Sequence, residues 1–144
     1  MTRTGFAYAF AAAFIAICVS AGSALAQVRA KADVACRPAG VTLEYDCSIR
    51  LTNARTSEPL IGATLTVGAD MPSMPMMHNV RPVKAVPGAD AGTYQARLTL
   101  EMHGDWALQI NLSGPVRDRV VTTLRFDPDR VTPAAATKAP SHKR

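Results

Sequence analysis

Cysteine is scarce in this chain, long apolar runs are confined to its first 28 residues, and the short motifs of a catalytic centre are missing. There is no Gly-rich phosphate loop, no nucleophile elbow and no His/carboxylate motif, so the sequence reads as that of a non-enzyme. His78 and His103 have only Glu101 and Asp105 as acidic neighbours, and these read as strand-edge and turn residues. No segment has the apolar period of an amphipathic helix. A basic stripe is also lacking. Of 16 Lys and Arg, Arg3 lies at the extreme N-terminus and Lys138, Lys143 and Arg144 in the last twelve residues, which leaves 12 basic against 11 acidic residues between them. The high pI belongs mostly to the tail, and no nucleic-acid partner is expected.

What the N-terminus does have is the pattern of a secretory signal peptide over residues 1–26. Arg3 supplies the charge, Gly5 to Val19 the apolar stretch, and Ala24-Leu25-Ala26 a small-residue cleavage site before Gln27. The expected location is the periplasm, without stable membrane insertion once the signal is cut. The minor alternative is an uncleaved anchor, because Thr4 to Val28 is uncharged and long enough to span a bilayer. Residues 27–132 then form one domain with a single modest core, and 133–144 an Ala- and Pro-rich basic tail expected to be disordered. Cys18 falls in the part removed. Cys36 and Cys47 remain and are expected to form a disulfide in an oxidising compartment. A tight hairpin about Ala39 would set Cys36 opposite Thr42, so the pairing is expected to join offset strands or different sheets.

Alternation of apolar and polar residues is the main structural signal. It is faultless from Val41 to Thr52, with Val41, Leu43, Tyr45, Cys47, Ile49 and Leu51 on one face. Further strands are expected over 28–36, 61–69, 79–86 (at a sheet edge, because of Pro82), 94–102, 106–112 and 116–126. Trp106 is read as core, and Arg117-Asp118-Arg119 as a solvated or self-paired hairpin mouth. About seven strands with regular turns predict an all-β, immunoglobulin-like antiparallel β-sandwich.

Methionine is not spread over this scaffold. Beyond Met1, four of five methionines fall in Met71-Pro72-Ser73-Met74-Pro75-Met76-Met77-His78, and the fifth, Met102, precedes His103. Thioethers are soft, neutral ligands, so this pattern points to copper as Cu(I). Pro72 and Pro75 exclude a helix. An extended segment would align Met74, Met76 and His78 at about 7 Å intervals; polyproline II would align Met71, Met74 and Met77 at about 9 Å. The first set is favoured, joined by Met102 or His103, with Met71 and Met77 packing inward or lengthening a transfer path. A hairpin centred near Asp90 would place His78 opposite Met102. The alternative is a metal-free interaction module whose Met-rich loop is an apolar contact surface.

Over about Ser57 to Phe126 the chain resembles the YtkA-like/FixH-like periplasmic domains. The resemblance rests on Pro59-Leu60-Ile61-Gly62-Ala63, the Ala69-to-His78 segment, Gly92-Thr93-Tyr94, Met102 and Gly104-Asp105-Trp106. It implies an immunoglobulin-like sandwich outside the cytoplasmic membrane, associated with copper handling, oxidase assembly or metal efflux, and hence a membrane oxidase or efflux complex as partner.

Overall fold

A computed structural model describes residues 27–135 of the chain; the signal peptide expected over 1–26 lies outside the described residues. The strands are β1 (Ala30–Pro38), β2 (Glu44–Asn53), β3 (Thr64–Asp70), β4 (Asn79–Lys84), β5 (Val86–Pro87), β6 (Thr93–Thr99), β7 (Gly104–Ser113), β8 (Asp118–Phe126) and β9 (Val131–Pro133). They build two antiparallel sheets, β1-β2-β6-β5 and β4-β3-β7-β8-β9. This is the expected β-sandwich. Its core is the sum of the alternating faces: Tyr45, Cys47, Ile49 and Leu51 from β2, and Tyr94, Ala96 and Leu98 from β6, meet Leu65, Val67, Trp106, Leu108, Ile110 and Phe126 from the other sheet. Trp106 is fully buried and donates its indole N–H to the Met102 carbonyl at 3.1 Å.

Several expectations are corrected. The strand expected over 79–86 is split: β4 is an edge of the five-stranded sheet and β5 an edge of the other, and the chain changes sheets at buried Ala85, whose N–H donates to Leu65 O. Pro82 sits in an irregular stretch of edge strand β4, against Gly68, where a missing donor does no harm. The apolar alternation that begins at Val41 and Ile61 also runs ahead of the strands. Both residues are exposed, because β2 starts only at Glu44 and β3 at Thr64. At the other terminus β9 extends to Pro133, and Ala134 N–H donates to Thr123 O, so the sandwich continues past residue 132.

Cys36 and Cys47 are disulfide-bonded and lie directly opposite one another in the β1–β2 ladder, with Cα atoms 4.0 Å apart. The offset pairing expected from a tight turn is not what forms. The connection is a five-residue loop, 39–43, with Gly40 and Leu43 both at positive φ, and it shifts the register to bring the cysteines together.

Asp118 is likewise not a self-paired turn residue. Its Oδ2 accepts the Ala30 N–H at 2.8 Å and its Oδ1 the Arg119 N–H, with Arg29 3.7 Å away, so it ties the start of β1 to the opposite sheet. The backbone donor from Ala30, then the Arg119 N–H and Arg29, hold its carboxyl below the usual value against the opposing effect of burial. The stabilisation is therefore complete above the ordinary carboxylate range and is lost as pH falls through it. Asp118→Asn should unfold at lower urea concentration than the wild type at about pH 7, and the gap between the two midpoints should shrink as pH falls below the ordinary carboxylate range of about 4. A gap that stays constant with pH would contradict this role.

At the opposite end from the Met-rich loop, Gly92 has φ 75°, and a Cβ there would lie 2.9 Å from both Leu51 O and Pro59 Cβ. The close approach lets Leu51 N–H bond Gly92 O at 2.8 Å and sets Tyr94, whose hydroxyl donates to Leu60 O and accepts from Ala63 N–H. Gly92→Ala is expected to cost about 2 kcal/mol in denaturant unfolding, from positive φ and overpacking together.

Candidate metal centre

Four loops gather at one end of the sandwich because β2, β4 and β7 begin there and β1, β3, β6 and β8 end there. They are 39–43, 71–78, 100–103 and 127–130. All seven Met and His residues singled out as candidates, Met71, Met74, Met76, Met77, His78, Met102 and His103, lie at this end.

The Met-rich loop is neither extended nor polyproline II. Met74 N–H donates to Met71 O and Met77 N–H to Met74 O, giving two successive turns, and Met76 takes φ 67°. A positive φ costs a side-chain-bearing residue roughly 1 kcal/mol. The expected alignments therefore do not form. The loop instead sorts its methionines by depth. Met71 is 4% exposed and packs its methyl toward Gly104, where a Cβ would come within 3.2 Å. Met74, Met76 and Met77 are 38%, 90% and 76% exposed. Met71 is thus the packed root of the loop, and the other three thioethers project from it.

The hairpin that was expected to bring His78 to Met102 is also absent, since β4 and β6 lie in different sheets. The two regions meet by another route. The crossing segment 100–103 passes from one sheet to the other beside the loop, and His78 Nδ1 lies 2.6 Å from Glu101 Oε2. Met102, 38% exposed, is the next residue. His103 turns to a different neighbour: its Nδ1 is 3.0 Å from the Tyr45 hydroxyl, which is also 3.0 Å from Asp127 O. A hydroxyl has one proton, so the arrangement that satisfies all three groups has Tyr45 donating to Asp127 O and accepting from His103 Nδ1–H. Burial, and then the negative charge of Asp127, raise the Tyr45 pKa above its ordinary value. His103 lines a cavity of about 240 Å³ with Pro38, Gly40, Val41, Leu43 and Pro128. The structure therefore separates His78, beside the thioethers, from His103, beside Tyr45.

The sequence offers Glu101 as an acidic neighbour but reads it as a strand-edge residue, whereas it pairs with His78, and nothing in the sequence points to Tyr45 as the partner of His103; both pairings cross between elements and have no local signature. Among the described residues, the Asp70 Oδ1 at the root of the loop is buried without a hydrogen-bond partner. No group of three His, Cys, Asp or Glu side chains comes together among those residues. The candidate donors are thioethers and one imidazole, which favour a soft cation.

A family model described as YtkA-like matches residues 41–111, from the β1–β2 loop into β7. The chain carries a YtkA-like domain. The match contains the whole Met-rich loop, Glu101, Met102 and His103, so the candidate centre belongs to the YtkA-like region. It begins earlier than the resemblance over Ser57 to Phe126 and takes in Cys47, so the disulfide joins the YtkA-like region to β1, just ahead of it. Comparison with curated proteins and with solved structures gives no match.

Proposed function

We propose that this is a periplasmic copper-binding protein that holds Cu(I) on the Met-rich loop for delivery to, or sequestration from, a membrane oxidase or efflux partner. One observation carries the reading. Three exposed thioethers, Met74, Met76 and Met77, share a loop with His78, while the fourth, Met71, anchors that loop in the core. Apolar side chains held in water, one of them on a residue with strained backbone, oppose stability and point to a role other than packing. Neutral thioethers bind Cu(I) without losing a proton, and an exposed set allows a partner to replace donors one at a time. Met74, Met76, Met77, His78 and Met102 would hold the ion. His103, turned to Tyr45, is the candidate least suited to join them.

A competition titration of the mature protein with a chromogenic Cu(I) chelator tests this. Roughly one ion per chain is expected for a single cluster of this kind.

The same exposure supports a second reading, a metal-free contact surface for a membrane-complex partner, because Met side chains adapt to varied apolar surfaces. Met→Leu changes discriminate the two. They preserve an apolar surface and remove every thioether donor.

A further inference from the structure

We infer that Glu101 is a positioning residue that holds the His78 ring as its Nδ1–H tautomer and so leaves the Nε2 lone pair as the donor of this loop. The inference rests on the metal-site reading for its purpose, but not for its geometry. A carboxylate has no proton to give, so the 2.6 Å contact between His78 Nδ1 and Glu101 Oε2 requires the proton to sit on Nδ1. In the neutral ring the lone pair is then on Nε2, on the edge of the imidazole away from Glu101. An isolated imidazole divides itself between tautomers and rotates about its side-chain bonds. Here one contact removes both freedoms, on a residue of which 28% of the side chain remains accessible.

The contact is also placed where it is useful. Glu101 lies in the crossing between β6 and β7, whose ends are fixed by Leu100 N–H on Leu43 O and by the indole N–H of buried Trp106 on Met102 O. The carboxylate is therefore presented to the loop from a braced segment. A carboxylate that receives the far N–H of an imidazole is the arrangement that orients metal-ligating histidines and raises their basicity, and its loss commonly lowers metal affinity about 10–100-fold. Glu101 itself has no need to touch the ion.

The test uses the full mature chain and two variants, Glu101→Gln and Glu101→Ala. Long-range ¹H–¹⁵N spectra of the metal-free protein report the tautomer directly. Wild type should show His78 protonated on Nδ1. Glu101→Gln, whose amide oxygen still accepts, should keep that pattern, and Glu101→Ala should shift it toward the Nε2–H form. In the chelator competition, Glu101→Ala should lose roughly 10–100-fold in Cu(I) affinity while Glu101→Gln stays within a few-fold of wild type. A His78 tautomer unchanged in Glu101→Ala would overturn the assignment, as would equal losses in both variants. Absence of Cu(I) binding by the wild type would refute the copper reading instead, and the tautomer spectra would still decide whether Glu101 holds the ring.

Discussion

Combining Met74→Leu, Met76→Leu and His78→Phe is expected to abolish Cu(I) binding in the chelator competition while leaving the fold intact. Removing a group that merely orients a ligand costs about 10–100-fold in affinity, so removing three donors should exceed roughly 100-fold. The fold should survive because Met74 and Met76 project into solvent and the two turns of the loop are made by backbone groups. Leucine keeps the size and apolar character of methionine, so a metal-free contact surface would retain most of its partner binding in this variant. Met71→Leu is the internal control. That side chain is buried against Gly104, and replacing its sulfur should leave Cu(I) affinity unchanged. Unchanged affinity in the triple variant would refute the copper reading.

Loss of the disulfide should be the most damaging single change to the scaffold. Replacing Cys36 and Cys47 by Ala is expected to lower unfolding free energy by about 3 kcal/mol, from the loop closed by their eleven-residue separation. For a domain of this size that is a fall in Tm of roughly 10–15 °C. The position of the bond adds to the effect. Strand β1 is an edge with no fully buried residue along its length, whereas its neighbour β2 buries Tyr45, Cys47, Ile49 and Leu51. The ladder to β2, the disulfide, the Asp118 contact to Ala30 and the half-buried packing of Ala30, Ala32, Val34 and Cys36 hold β1 in place. Hydrogen exchange should therefore accelerate first in β1 of the reduced or substituted protein, with β3 and β7 protected until global unfolding. Uniform acceleration across both sheets would show that β1 is not a separate opening unit. The Met-rich loop lies at the end of the sandwich where β1 leaves for the 39–43 loop, but its root is in β3, so Cu(I) affinity should be less affected than stability.

Much of the scaffold is legible in the residues because a strand that buries one face must alternate. Tyr45 to Leu51, Tyr94 to Leu98 and Trp106 to Leu112 each declare their inward side without reference to any partner. The errors occur where alternation continues without a strand beneath it, at Val41 and Ile61, and where a continuous run is divided between sheets, at Ala85. The division is set by the strands that β4 and β5 meet, β3 in one sheet and β6 in the other.

The chemistry follows the same division. Composition alone identifies the Met-rich loop as unusual, and the prolines alone exclude a helix there, because both are properties of the covalent chain. Which methionine is a root and which are exposed is decided by packing, in that Gly104 leaves room for Met71 while Met76 is left uncovered among the described residues. The pairing of His78 with Glu101, and of His103 with Tyr45, depends on a crossing segment and on strands from opposite sheets meeting at one end of the sandwich. Periodicity determines which way a side chain faces from its own strand. Only the tertiary structure determines what it faces, because hydrogen bonds between residues 23 and 58 positions apart are set by how the sheets stack and not by the sequence around either partner.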